Sequence, residues 1–184
     1  MPRFVISHLG KYSLRLLTDK DSIEYFQLLD ENRDRLRRYF PTSVKAVQTI
    51  SDAKTYLLNQ TNHGSDKREV YPFGIFLKGK LIGWISIKSI IWEEKLCELG
   101  YYLDKNYEGM GIMSNVVSDI LDYAFEELKL VKVFLRIGRD NPGSARVALK
   151  NGFCLEKVLK KEFQIETGEL VDLEYYTKTK SSPS

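Results

Sequence analysis

The chain has little with which to hold a metal ion. It carries two cysteines and two histidines in 184 residues, and Cys97 and Cys154 lie far apart with no histidine pair near either. A structural zinc site needs closely spaced pairs such as C-x-x-C, and there are none. Both cysteines sit in apolar surroundings and are expected to be buried free thiols, which suits a reducing, cytoplasmic setting. Long apolar runs are missing too. None approaches the ~18 residues of a transmembrane helix, and the apolar part of "MPRFVISHLG" is too short for a secretory signal, so no membrane role is expected. A formal charge of only +3 lacks the basic footprint of a dedicated nucleic-acid binder, though it is compatible with an anionic small ligand.

What is present is the balance of an ordinary globular protein: 43% hydrophobic and 29% charged residues, enough to bury a core at this length. No repeat or composition shift marks a second domain. Residues 1–178 are read as one domain and 179–184 as a polar tail. The oligomeric state is open, a homo-oligomer included.

The elements follow from spacing and caps. "YSLRLL" (Tyr12 to Leu17) reads as a strand, and "TDKD" (Thr18 to Asp21) offers a capping box for the helix that follows. Ile23, Phe26, Leu29 and Leu36 recur at helical spacing until Pro41. "TISDAKTYLLNQ" reads as a short helix capped by Thr49 or Ser51. "VYPFGIFL", "LIGWISIKSII" and "LCELGYYL" are β-rich and joined by "KGK" and "WEEK", which predicts an antiparallel meander. A helix then carries Val116, Val117, Ile120, Leu121, Ala124 and Phe125 on one side. "VKVFLRI" is a strand. "NPGSARVALKNGF" is a helix with Asn141 at its cap, Pro142 at its first position and Gly152 ending it. Two strand-like runs close the chain, "FCLEKVLKKEF" and "LVDLEYYTK". This order is neither an alternating βαβ series nor a helix bundle.

Between Leu103 and the helix that bears Val116 stands "DKNYEGMG". A strand, a Gly-x-Gly turn and a helix start together make a phosphate cradle, because helix N–H groups point outward and glycine lets an anion approach the backbone. A plain tight turn also accounts for the glycines. A P-loop needs Gly-Lys-Ser/Thr, and no lysine follows Gly111. A dinucleotide fingerprint needs a third glycine near Ser114 and an acid about 20 residues on, where the chain offers Lys129, Leu130 and Val131.

From "YLDKNYEGMGIMSNVV" to "NPGSARVALKNGFCLEK" the sequence resembles the acetyl-CoA-binding core of the GNAT acetyltransferases. More narrowly, it is similar to their ribosomal-protein N-terminal acetyltransferase branch. The family's Gln/Arg-x-x-Gly-x-Gly/Ala signature is matched around Glu108-Gly109-Met110-Gly111-Ile112-Met113, and its second block by Asn141 through Gly152-Phe153. "LDENRDRLRRYFP" looks like the first helices of that branch. The likeness covers roughly Tyr12 to Lys178. It departs at Glu108, where the family has Gln or Arg, at Met113, where it has a small residue, and at Ala148, where many members carry an acidic-proton tyrosine.

The resemblance implies an α/β (α+β) GNAT fold, with a mixed, mostly antiparallel central sheet flanked by helices and splayed at the acetyl-CoA site. It implies acetyl transfer from acetyl-CoA to a primary amine, most plausibly a protein or peptide N-terminus. A small amine, such as a polyamine, amino acid or antibiotic, is the alternative acceptor, and a non-catalytic acyl-CoA sensor is the other class. In such folds Leu103 backbone groups hold the pantetheine arm and amides from Gly109 to Met113, Met110 and Ile112 included, hold the pyrophosphate. Asn141 reaches the arm from the other side, or serves only as a helix cap. Ser144 resembles the hydroxyl this branch offers to the leaving thiolate. Glu98, a carboxylate in an apolar strand, is the expected base for the amine or the group that orders the water that does the work, with Glu162 in reserve.

Overall fold

The computed structural model describes residues 5–8, 12–61 and 68–180, the side chains of 5–8 and 61 excepted. Among these the chain forms eight strands and six α-helices. In chain order they are β1 (Val5–His8), β2 (Tyr12–Leu16), α1 (Ser22–Glu31), α2 (Arg33–Leu36), α3 (Pro41–Ala46), α4 (Ile50–Thr61), β3 (Tyr71–Leu77), β4 (Lys80–Ile91) and β5 (Leu96–Leu103). Then come α5 (Ile112–Asp122), β6 (Lys132–Gly138), α6 (Pro142–Lys150), β7 (Cys154–Gln164) and β8 (Leu170–Thr179). Two compact units result, residues 1–86 with 101–112 and residues 87–100 with 113–184. Strands β4 and β5 pass from one unit into the other. Most of the expected polar tail lies outside the described residues.

In the first unit the strand order is β1-β2-β3-β4-β5, with β1/β2 and β2/β3 antiparallel. The expected capping box is in place, Thr18 N donating to Asp21 Oδ2 at 2.8 Å. It opens a 3-10 turn over Asp19–Asp21 ahead of α1. Arg15 clamps the same carboxylate with Nη1 at 2.9 Å and Nη2 at 2.6 Å. Thr49 caps helix α4, its Oγ1 accepting from Asp52 N at 3.1 Å while Asp52 Oδ2 accepts from Thr49 N at 2.9 Å. The core of this unit joins Leu17, Tyr25, Leu29, Leu57, Phe76, Trp84 and Tyr102. Trp84 and Tyr102 stack at 5.4 Å, so these rings are packing residues of the core.

The second unit follows the order β5-β6-β8-β7, antiparallel at β6/β8 and β7/β8 and parallel at β5/β6. The parallel register runs only from Leu96↔Lys132 to Glu98↔Phe134, although both strands continue. Pairing therefore ends in mid-strand, as the expected splay requires. All six apolar residues expected on one side of α5 and its continuation are buried. A π turn over Tyr123–Glu127 closes that helix.

One expectation fails here. Cys97 is buried, but Cys154 is exposed. It begins β7, the outermost strand of its unit, whose residues are mostly exposed. Local apolar neighbours do not bury a residue when nothing covers its strand.

Candidate active site

The Gly-x-Gly turn belongs to the first unit and follows the end of β5. Asp104, buried, caps the next 3-10 turn, its Oδ1 accepting from Asn106 N at 2.8 Å and Asn106 Nδ2 at 2.9 Å. Gly109 and Gly111 both adopt φ of +75°, where a side chain strains the backbone, and a Cβ added to either would meet nothing within 4 Å. Helix α5 begins one residue after Gly111. The turn thus shows an open surface of backbone beside a helix start, with Met110 projecting into solvent. A group bearing phosphates fits it, because the open side has no protein atoms to displace and carries the unpaired N–H groups of the helix start. Ile112 is half-buried and Met113 buried, so any contact they make with phosphate is through their amides.

Glu108 was expected as a lone anion in this turn, and it has a partner. Arg35, on α2, pairs with Glu108 Oε1 through Nη1. Its Nη2 donates to the Leu103 carbonyl and to Asn32 Oδ1, the latter at 3.0 Å. Asn32 is itself buried and accepts from Lys105 N at 3.0 Å with the same oxygen. Leu103 and Glu108 are therefore joined through one guanidinium. Nothing local marks Arg35 for this contact, because "NRDRLRR" places four arginines within six residues of one another.

The second unit holds the proposed acid–base groups. Glu98 is 4% exposed, and both its oxygens are engaged. Arg136 Nε reaches Oε1 at 3.1 Å and Nη2 reaches Oε2 at 2.9 Å, and Lys88 Nζ stands 3.4 Å from Oε1. The hydrogen bond to Glu98, which outweighs partial burial, raises the already high pKa of Arg136 further. Burial and then the Glu98 charge push the neighbouring Cys97 thiol up to about 12, so that sulfur is inert. Phe134 and Tyr175 stack at 4.9 Å, and Lys157 lies over Tyr175 at 5.0 Å. Glu162, the reserve base, is exposed and close enough to Arg136 to contribute to its shift. Arg136 carries a local signal of its own, a cation inside the apolar run "VKVFLRI" and the counterpart of Glu98 in "LCELGYYL".

Helix α6 starts as read. Asn141 Oδ1 accepts from Ser144 N at 3.1 Å, so its oxygen is the helix cap. Ser144 is half-buried in the first turn. Ala148 is fully buried. Asn151, at the helix end, donates to the Ser114 carbonyl at 3.1 Å and so ties α6 to the start of α5. The described residues contain no cluster of His, Cys, Asp or Glu able to hold a metal, and no helix among them is long and apolar enough to cross a membrane.

A strand whose parallel pairing stops half way, followed by a glycine turn opening a helix, is the arrangement that the resemblance to the acetyl-CoA-dependent transferases implies. The profile of the Acetyltransferase (GNAT) domain matches residues 12–154. The chain is 34% identical over 155 residues to the probable N-acetyltransferase YjcK of Bacillus subtilis (strain 168), covering 83% of this chain and 85% of that one. It belongs to the GNAT acetyltransferase family and is an acetyl-CoA-dependent N-acetyltransferase. The crystal structure of a ribosomal-protein-S5-alanine acetyltransferase from Vibrio fischeri superposes with a TM-score of 0.84 at 26% identity, covering 96% of both chains. Spermidine N(1)-acetyltransferase of Escherichia coli (strain K12) is 24% identical over 80% of this chain and 75% of its own.

Proposed function

We propose that the acceptor is the α-amino group of a protein or peptide N-terminus, of the kind ribosomal-protein acetyltransferases modify. The observation that carries this reading is the pairing of Glu98 with Arg136 and Lys88. A polyamine acceptor needs acidic side chains to receive its second and third ammonium groups. Among the described residues Glu98, the buried carboxylate of the second unit, already faces two cations. That environment suits a single neutral amine better than a polycation. Similarity to a ribosomal-protein acetyltransferase over 96% of the chain supports the same reading.

Acetyl-CoA supplies the activated acetyl group. Amides from Gly109 to Met113 hold its pyrophosphate at the α5 start, and Leu103 holds the arm with its carbonyl shared with Arg35. The NH2 of Asn141 contacts the arm from α6. The amine attacks the thioester carbon, the bond to sulfur breaks, and Ser144 delivers a proton to the departing thiolate, directly or through water. The amine's own proton passes to water ordered beside Glu98, because both Glu98 oxygens hold cations, with Glu162 the exposed alternative. An α-amine, whose pKa is near 7.7 to 8.0 against about 10.4 for lysine, needs only so weak a base.

The test is acetyl-CoA turnover with peptides bearing free Ala or Ser N-termini set against spermidine and small amines. Turnover confined to small amines overturns the acceptor assignment. Tight acetyl-CoA binding without turnover on any amine identifies a sensor.

A further inference from the structure

The turn that should take two phosphates carries a carboxylate at the position before its first glycine. A second-unit cation is not needed to explain how it does so, because Arg35 stands in the same unit as Glu108 and touches it. The guanidinium is held from behind by uncharged acceptors, Asn32 Oδ1 and the Leu103 carbonyl, both on Nη2. Asn32 is in turn fixed by donation from Nδ2 to the Leu28 carbonyl at 2.9 Å and by the Lys105 amide. Arg35 is thus oriented without Glu108, which is its ionic partner in the turn.

That ionic contact is the exchangeable part. The Arg35 side chain is 37% exposed and the Glu108 side chain 52%. An ion pair this open gains little in water and is screened by salt. The pyrophosphate of acetyl-CoA offers the same Nη1 an anion of two charges in all where Glu108 offers one, and its oxygens are strong acceptors for a guanidinium. Lysine would not do this as well, since the planar fork is what allows Nη2 to stay anchored while Nη1 changes partner.

We propose that Arg35 is a phosphate-binding residue of the acetyl-CoA site, and that Glu108 is the internal ligand it exchanges for phosphate when the cofactor binds. The inference rests on the reading that residues 109–113 hold the pyrophosphate. It gives the two members of one ion pair opposite effects. Glu108→Gln frees Arg35 and removes a competing anion, so affinity rises. Arg35→Ala removes the cation and leaves the carboxylate, so affinity falls.

The experiment is calorimetric titration of acetyl-CoA into the wild type, Arg35→Ala, Glu108→Gln and the double variant, at low and high salt, with thermal melts to confirm folding. The deciding comparison is made without the carboxylate. In the Glu108→Gln background, Arg35→Ala is expected to weaken acetyl-CoA at least tenfold, and the effect shrinks as salt rises. If it costs nothing in that background, Arg35 only neutralises Glu108 and the inference is overturned. Acetyl-pantetheine, which lacks the nucleotide phosphates, serves as the control substrate. Arg35→Ala is expected to lower kcat/KM much less with acetyl-pantetheine than with acetyl-CoA, and an equal loss with both makes the arginine a structural residue instead. Gly111→Ala in the same titration separates this inference from its foundation. If Gly111→Ala weakens binding but Arg35→Ala does not, only the exchange is lost. If Gly111→Ala leaves affinity unchanged, the cradle and the exchange fall together.

Discussion

Arg136 grips Glu98 with two nitrogens, one to each carboxylate oxygen, at 3.1 and 2.9 Å. Glutamine in place of Glu98 keeps the shape of the side chain and removes its charge. Glu98→Gln is therefore expected to lower kcat by about tenfold to a hundredfold, within the reach of general-base effects, and to recover as pH rises past the α-amine pKa near 8. A flat, wild-type-like pH–rate profile would move the base to Glu162 or to bulk water.

Ser144 has the contrasting signature. Ser144→Ala should lower kcat by roughly tenfold to a thousandfold while acetyl-CoA affinity stays close to wild type, and raising the pH should not restore the rate. Single-turnover kinetics with a parallel binding titration measure both. Lost affinity would recast the serine as a cofactor-binding residue.

Gly111 tests the cradle. Alanine is the better probe than valine, since a β-branched residue at positive φ would strain the turn more. Gly111→Ala should cost about 1 kcal/mol of stability from its backbone angle and weaken acetyl-CoA more than tenfold, or over ~1.4 kcal/mol. A folded variant with unchanged affinity would remove the phosphate role.

Asp21 gives a pH-dependent stability. Burial raises its pKa, but the Arg15 hydrogen bonds, the Thr18 amide and the Arg15 charge together outweigh burial, and the net shift is downward. The folded value lies below the unfolded one, near 3.9. The stabilisation is therefore complete above about pH 4 to 5 and is lost as pH falls through the folded value. Chemical denaturation of wild type and Asp21→Asn should show a stability gap at pH 7 that closes below pH 4. A gap independent of pH would mean that packing, and not the Arg15 pair, accounts for it.

Local signals carried much of this molecule. The capping pairs at Thr18 and Thr49, the meander and the buried face of α5 all act over a few residues, so spacing reveals them. Strand β1 was missed because its run is only four residues and it exists by pairing with β2. Cys154 was misplaced because burial depends on whether another layer covers the strand. Glu98 could be picked out by its apolar strand, but its partners are 10 and 38 positions away. Arg35 and Glu108 are 73 apart, and nothing local links an arginine in a helix of arginines to a glycine turn. Side-chain chemistry was legible one residue at a time, and its pairings were not.

The acceptor is the central claim, and competition between amines tests it most directly. With acetyl-CoA saturating at pH 7, kcat/KM is measured for a short peptide with a free Ser or Ala N-terminus and an acetylated, lysine-containing version of it, and for spermidine. The account predicts that the free α-amine is preferred over both by at least tenfold, a difference of about 1.4 kcal/mol in transition-state binding. Spermidine turned over as well as or better than the peptide would contradict it.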